Sequence, residues 1–161
     1  MIRKLFQGLI ILATTSPVLA ANAIYNDIVF QDPALTTLQR TLIRQLKDED
    51  LISASETANK IVEQVSNNLD VNSLNYAKVL TNSALVDWKL EQPELALASL
   101  KRAIAHTESI SPFHHALFEM LVAEAAIEHK TGNLEYAADT YRRAQHISHR
   151  IDGVYTQLQI P

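Results

Sequence analysis

Apolar residues recur along this chain at intervals of three and four, the spacing that puts side chains on one face of an α-helix. Leu35, Leu38, Leu42, Ile43 and Leu46 form a first stripe, and Ala54, Ala58, Ile61, Val62 and Val65 a second. Tyr76, Ala77, Leu80, Ala84 and Leu85 form a third, Ala96, Leu100 and Ala103 a fourth, and Ala137, Tyr141 and Ala144 the last. Between these last two, residues 113–131 are apolar and alanine-rich on most sides, as expected of a helix enclosed by neighbours. The pattern predicts six helices: 34–48, 51–67, one from Ser73 to a break at Pro93, 94–109, 113–131 and 134–150.

The breaks have local causes. Asp32-Pro33 supplies an N-cap followed by proline at the first helical position. Asn67-Asn68-Leu69-Asp70 is turn-rich, and Ser111-Pro112 interrupts the chain before the fifth helix. Gly132-Asn133 ends one helix and lets the next begin, because glycine enters the left-handed conformation at low steric cost; Asp152-Gly153 is expected to repeat that turn. Residues 24–33 precede the first helix. Ile24 to Gln31 is short, apolar and β-branched, with no strand partner elsewhere, so it is expected to be an extended lead-in packed on the first helix. Val154 to Pro161 reads as the start of a further, incomplete helix, which suggests a piece of a longer protein.

The stripes repeat. Ala96, Leu100 and Ala103 stand 41 residues before Ala137, Tyr141 and Ala144, and Ala54, Ala58 and Ile61 stand 42 residues before those. The register extends into the preceding helices: Leu38, Leu80 and Leu121; Leu42, Ala84 and Ala125; Lys47, Lys89 and Lys130. Small residues at the outer places admit a neighbouring helix closely, and a larger one between them fills the gap. Paired amphipathic helices at a fixed period predict units that bury their apolar faces only by stacking.

These residues resemble the tetratricopeptide repeat family, whose pattern has a small residue before the inter-helix turn, glycine at the turn, then alanine, an aromatic and alanine. Ala125, Gly132, Ala137, Tyr141 and Ala144 carry it best; the second unit has Glu91 at the glycine's place. The period exceeds the usual value of about 34 and is similar to the long-helix variant found in kinesin light chain. The resemblance, over 34–153, implies an all-α, right-handed α-solenoid of three helix-turn-helix units. It specifies fold rather than activity.

Charge and composition narrow the function. Met1 to Ala23 has the parts of a secretory signal: Arg3 and Lys4, an apolar core, then Pro17 and small residues. The apolar run is shorter than the roughly 20 residues of a membrane span, so cleavage after Ala20 or Ala23 is expected, with a periplasmic or secreted product and no membrane span after signal removal. There is no cysteine, hence no disulfide and no lipid-modified cysteine. Without Arg3 and Lys4 the formal charge moves from −4 to −6, which disfavours nucleic acid as a partner.

Candidate chemistry is sparse. His146 and His149 share a helix face and His114-His115 opens another helix, yet no set of ligands has metal-binding spacing. Asp48 and Asp50 are close in sequence but belong to a solvated helix end. With no Cys, no nucleophile elbow and no glycine-rich phosphate loop, the expectation is a non-enzyme that needs no cofactor and no metal. Lys60, Arg102 and Arg143 form a basic column on the second helices, and Arg142, Arg143, His146 and Arg150 a local positive patch.

The resemblance implies a concave groove lined by the first helix of each unit. Carried over by register, its protein- or peptide-binding positions include Arg40 and Lys47 in the first unit, Asn82, Leu85, Trp88 and Lys89 in the second, and His129 and Lys130 in the third; Gln39, Ile43, Leu46, Thr81, Val122, Ala123 and Ala126 line the same wall. Asn82 is the position at which the family often holds a peptide backbone, while Arg40 and Ala123 stand there in the other units. Lysine in the last turn of a helix is also favoured by the helix dipole wherever that helix lies, by about 0.3–1 kcal/mol. The sequence reads as a scaffold for a protein or peptide partner; the alternatives are self-assembly into a homo-oligomer, or a targeting or regulatory module of a larger protein.

Overall fold

The structure, a computed structural model, describes residues 25–67 and 73–152. The expected signal, residues 68–72, Gly153 and the segment 154–161 lie outside it. Among the described residues six helices follow one another: α1 Pro33–Lys47, α2 Leu51–Asn67, α3 Leu74–Lys89, α4 Pro93–Ile110, α5 His115–Lys130 and α6 Leu134–Asp152. No strand is present among the described residues, and 25–30 is an extended strap.

The caps explain the boundaries. Asp32 accepts from the Ala34 amide at 2.8 Å, and Pro33 opens α1. Asp50 accepts from the Ser53 amide at 3.2 Å and so starts α2; the Ser53 side chain first, then this amide, lowers the pKa of its carboxyl. Pro93 is the first residue of α4. The fifth helix starts two residues later than the sequence suggests, since the Nδ1 of His114 accepts from the Ala116 amide at 3.1 Å and makes His114 the cap. The sixth continues through Asp152, two residues past the expected end, with Ile151 packed on the core that includes Ala144 and Ile147; the turn expected at Asp152-Gly153 depends on Gly153, outside the described residues.

The turns inside the three helix pairs are equivalent. Glu49, Glu91 and Gly132 have φ of 58°, 59° and 91°. In each, the amide of the left-handed residue donates three residues back, to Leu46, Trp88 and His129, and the next amide donates five residues back, to Gln45, Asp87 and Glu128. This is the Schellman arrangement. Glutamate therefore adopts at two turns the conformation that glycine takes without strain at the third. Asp48, the other acid read from this stretch, is the residue that caps α1.

Each helix packs on the next in sequence, and α3 also meets α5. The small residues of the repeated stripe sit where these helices approach: Ala54, Ala96 and Ala137 are buried, as are Ala103 and Ala144. Because α3 and α5 each have partners on more than one side, they are buried nearly all round. The helical surface facing solvent carries cross-links of its own. Arg102 donates to the Tyr76 hydroxyl at 2.6 Å, tying α4 to α3, and Arg143 pairs with Glu108, tying α6 to α4. The positive patch expected at the end of α6 is thus partly spoken for: Arg142 pairs with Asp139, and Arg150 lies over the Phe113 ring.

Candidate functional site

An extended segment exposes backbone N–H and C=O groups that must find partners if they are covered. In the strap 25–30 those partners are carboxamide side chains. Asn82, on α3 and only 3% exposed, accepts from the Tyr25 amide at 2.8 Å and donates to the Tyr25 carbonyl at 3.1 Å. Gln39 on α1 donates to the Asn26 carbonyl at 3.3 Å, and Asn75 on α3 to the Val29 carbonyl at 3.0 Å. Three amides from two helices therefore do what a neighbouring strand would do in a sheet.

Over 28–30 the strap's side chains alternate as an extended chain requires. Ile28 and Phe30 are buried, filling a slot walled by Leu42 of α1, Ala58 and Ile61 of α2 and Val79 of α3. Val29 between them is 78% exposed. The strap was expected to pack on the first helix; it does so through Leu42 and Gln39, and it is held on α3 as well, which supplies most of its polar anchors.

Charge fixes the other end. Lys78 pairs with Asp27 at 2.6 Å and stands 5.3 Å over the Tyr25 ring. The ammonium hydrogen bond lowers the Asp27 pKa. The Tyr25 hydroxyl donates to Glu119 of α5 at 2.6 Å; burial first, then the bonded carboxylate, raises its pKa. Beside Tyr25 the surface opens into a cleft of about 530 Å³ between α3 and α5, with Thr81, Leu85, Ala123 and Glu119 among its walls and His114 and His115 at its rim.

Of the residues singled out by sequence, Asn82 and Leu85 come together at this place, as do Gln39, Thr81 and Ala123. The others do not. Trp88 is half-buried against a cluster that includes Ala84, Leu100 and Ala126. Lys47, Lys89 and Lys130 are exposed in the last turns of α1, α3 and α5, and none makes an ion pair among the described residues. His129 and Arg40 are exposed. Asn75, Lys78 and Glu119 were missed. The first two could have been found, since Asn75, Lys78 and Asn82 stand at i, i+3 and i+7 and make a polar stripe along one face of α3; Glu119 has no such signal.

Among the described residues no group of three or more His, Asp and Glu is placed to hold a metal ion, and no helix is long and apolar enough to cross a membrane. No protein-family model matches the chain, and no curated protein is similar to it in sequence.

Proposed function

We propose that the helix pairs α1–α2, α3–α4 and α5–α6 are three tetratricopeptide-like units stacked as a right-handed solenoid, and that the wall made by α1, α3 and α5 binds an extended segment of another protein. The equivalence of the turns at Glu49, Glu91 and Gly132 supports the repeat. The observation that carries the binding role is the grip of Asn82 on both backbone groups of Tyr25. A side chain that satisfies N–H and C=O of one residue reads extended backbone whatever the sequence, and neighbouring pockets then select side chains. Leu85, Trp88, Lys89, His129 and Lys130 continue this wall beyond the strap in the proposal, with Arg40 and Lys47 on the first unit. The role is non-catalytic, and the expected site of action is the periplasm or the exterior of the cell, after loss of residues 1–23.

The test is site-specific photo-crosslinking in cells. A photoreactive residue at Lys89, on the proposed inner wall, should trap a polypeptide that one at Lys60, on α2, does not. Equal trapping at both positions, or at neither, counts against the groove. An adduct of twice the chain's mass would instead favour self-assembly.

A further inference from the structure

The seat under residues 25–30 has the make-up of a recognition site, and the strap shows what it accepts. Four backbone groups are held by Asn82, Gln39 and Asn75, none of which depends on the strap's side chains. Selectivity comes from three further features: the apolar slot that takes Ile28 and Phe30, the Lys78 ammonium that takes Asp27, and Glu119, which takes a hydroxyl.

We propose that this seat binds, in trans, an extended segment of another protein with the strap's chemistry: a tyrosine, an acidic residue two positions on, then two apolar residues spaced by two. The strap is its competitor in cis. This rests on reading the α1–α3–α5 wall as an interaction surface, and it specifies the ligand and the control of that surface. A tethered occupant is present at an effective concentration on the order of millimolar, so an incoming segment binds well only when it fits the seat better or the strap is loosened.

A second copy's strap is a poor occupant. Only Gln31 and Asp32 join Phe30 to α1, and Asp32 is committed as the cap of that helix through its bond to Ala34. Reaching a neighbouring molecule would unmake the cap, whereas a free segment has no such link.

The experiment uses the full chain and a labelled peptide of the sequence Ile24 to Gln31, followed by fluorescence anisotropy. A Tyr25→Phe, Asp27→Ala chain loses the bonds to Glu119 and Lys78 but keeps Ile28 and Phe30 in their slot. It should bind the peptide at least tenfold more tightly than the unaltered chain. A peptide with lysine in place of its aspartate should bind at least tenfold more weakly, and adding Asn82→Ala to the chain should abolish binding. Should the double variant lose its helical signal, Asp27→Ala alone, which removes only the strap's bond to Lys78, is the substitute.

A folded strap-weakened chain that binds the peptide no better than the unaltered one overturns the proposal. So does binding that survives Asn82→Ala, or concentration-dependent dimerisation of the weakened chain in sedimentation. If the peptide fails while Lys89 still traps a polypeptide in cells, only this inference falls and the binding wall stands.

Discussion

Asn82 holds Tyr25 by both of its backbone polar groups, with the amide at 2.8 Å and the carbonyl at 3.1 Å, across a separation of 57 residues. Both residues lose water on forming this pair, so each needs the other. Asn82→Ala should destabilise the fold by about 1–3 kcal/mol, the cost of leaving covered backbone groups unpaired. It should also speed amide exchange at Tyr25 more than at Leu80, two residues from Asn82 on the same helix. Hydrogen exchange resolved by residue tests this; equal acceleration at both would mean that α3 itself had loosened.

The turns at Glu49, Glu91 and Gly132 give a reciprocal pair of tests. A left-handed conformation costs a residue with a Cβ about 1–2 kcal/mol, partly offset by the greater freedom glycine has when unfolded. Glu91→Gly should therefore raise stability by about 0.5–1 kcal/mol, and Gly132→Ala should lower it by about 1 kcal/mol. The space beside Gly132 is open, so the second effect would come from backbone strain rather than collision. Urea unfolding of both variants measures the two signs.

Ala137 is buried where α6 meets its neighbour and occupies the repeated small position. Ala137→Leu should overpack that contact and cost about 1–3 kcal/mol, while Ala138→Leu, at an exposed position of the same helix, should leave the unfolding midpoint nearly unchanged. A similar loss at both sites would show that helix propensity, not packing, governs α6.

Glu124 is buried on α5, and burial raises its pKa, with Lys101 opposing and Glu128 reinforcing the shift. A carboxyl whose folded pKa is raised binds its proton more tightly in the native state. Its ionisation therefore removes stability as pH rises from the unfolded value through the folded one. Glu124→Gln should raise the unfolding midpoint at pH 8 and leave it little changed at pH 4. Midpoints measured at the two pH values decide it; an equal shift at both would assign the effect to packing.

The helices and their order were legible because their causes are local. Asp32-Pro33, Pro93 and Gly132 act within a few residues of themselves, and the stripe from Ala54 to Ile61 shows its period in the sequence. The late start of α5 was less legible, since a histidine acting as a helix cap looks like any other histidine until its ring nitrogen is seen beside the Ala116 amide. The site was half legible. Asn82 was found by its place in the repeat, and Lys78 and Asn75 lie on its stripe, but Glu119 reaches Tyr25 from another helix pair.

By itself the sequence determined six helices, their pairing by a repeat of 41 to 42 residues, and the small positions at which they meet. Only the tertiary structure decided that two glutamates take a left-handed conformation like that of Gly132, and that residues 25–30 are held by side chains of both α1 and α3. The reason is physical. Helical periodicity and capping are satisfied between near neighbours in the chain, while the polar groups of an extended segment are satisfied by whichever side chains the fold carries to it.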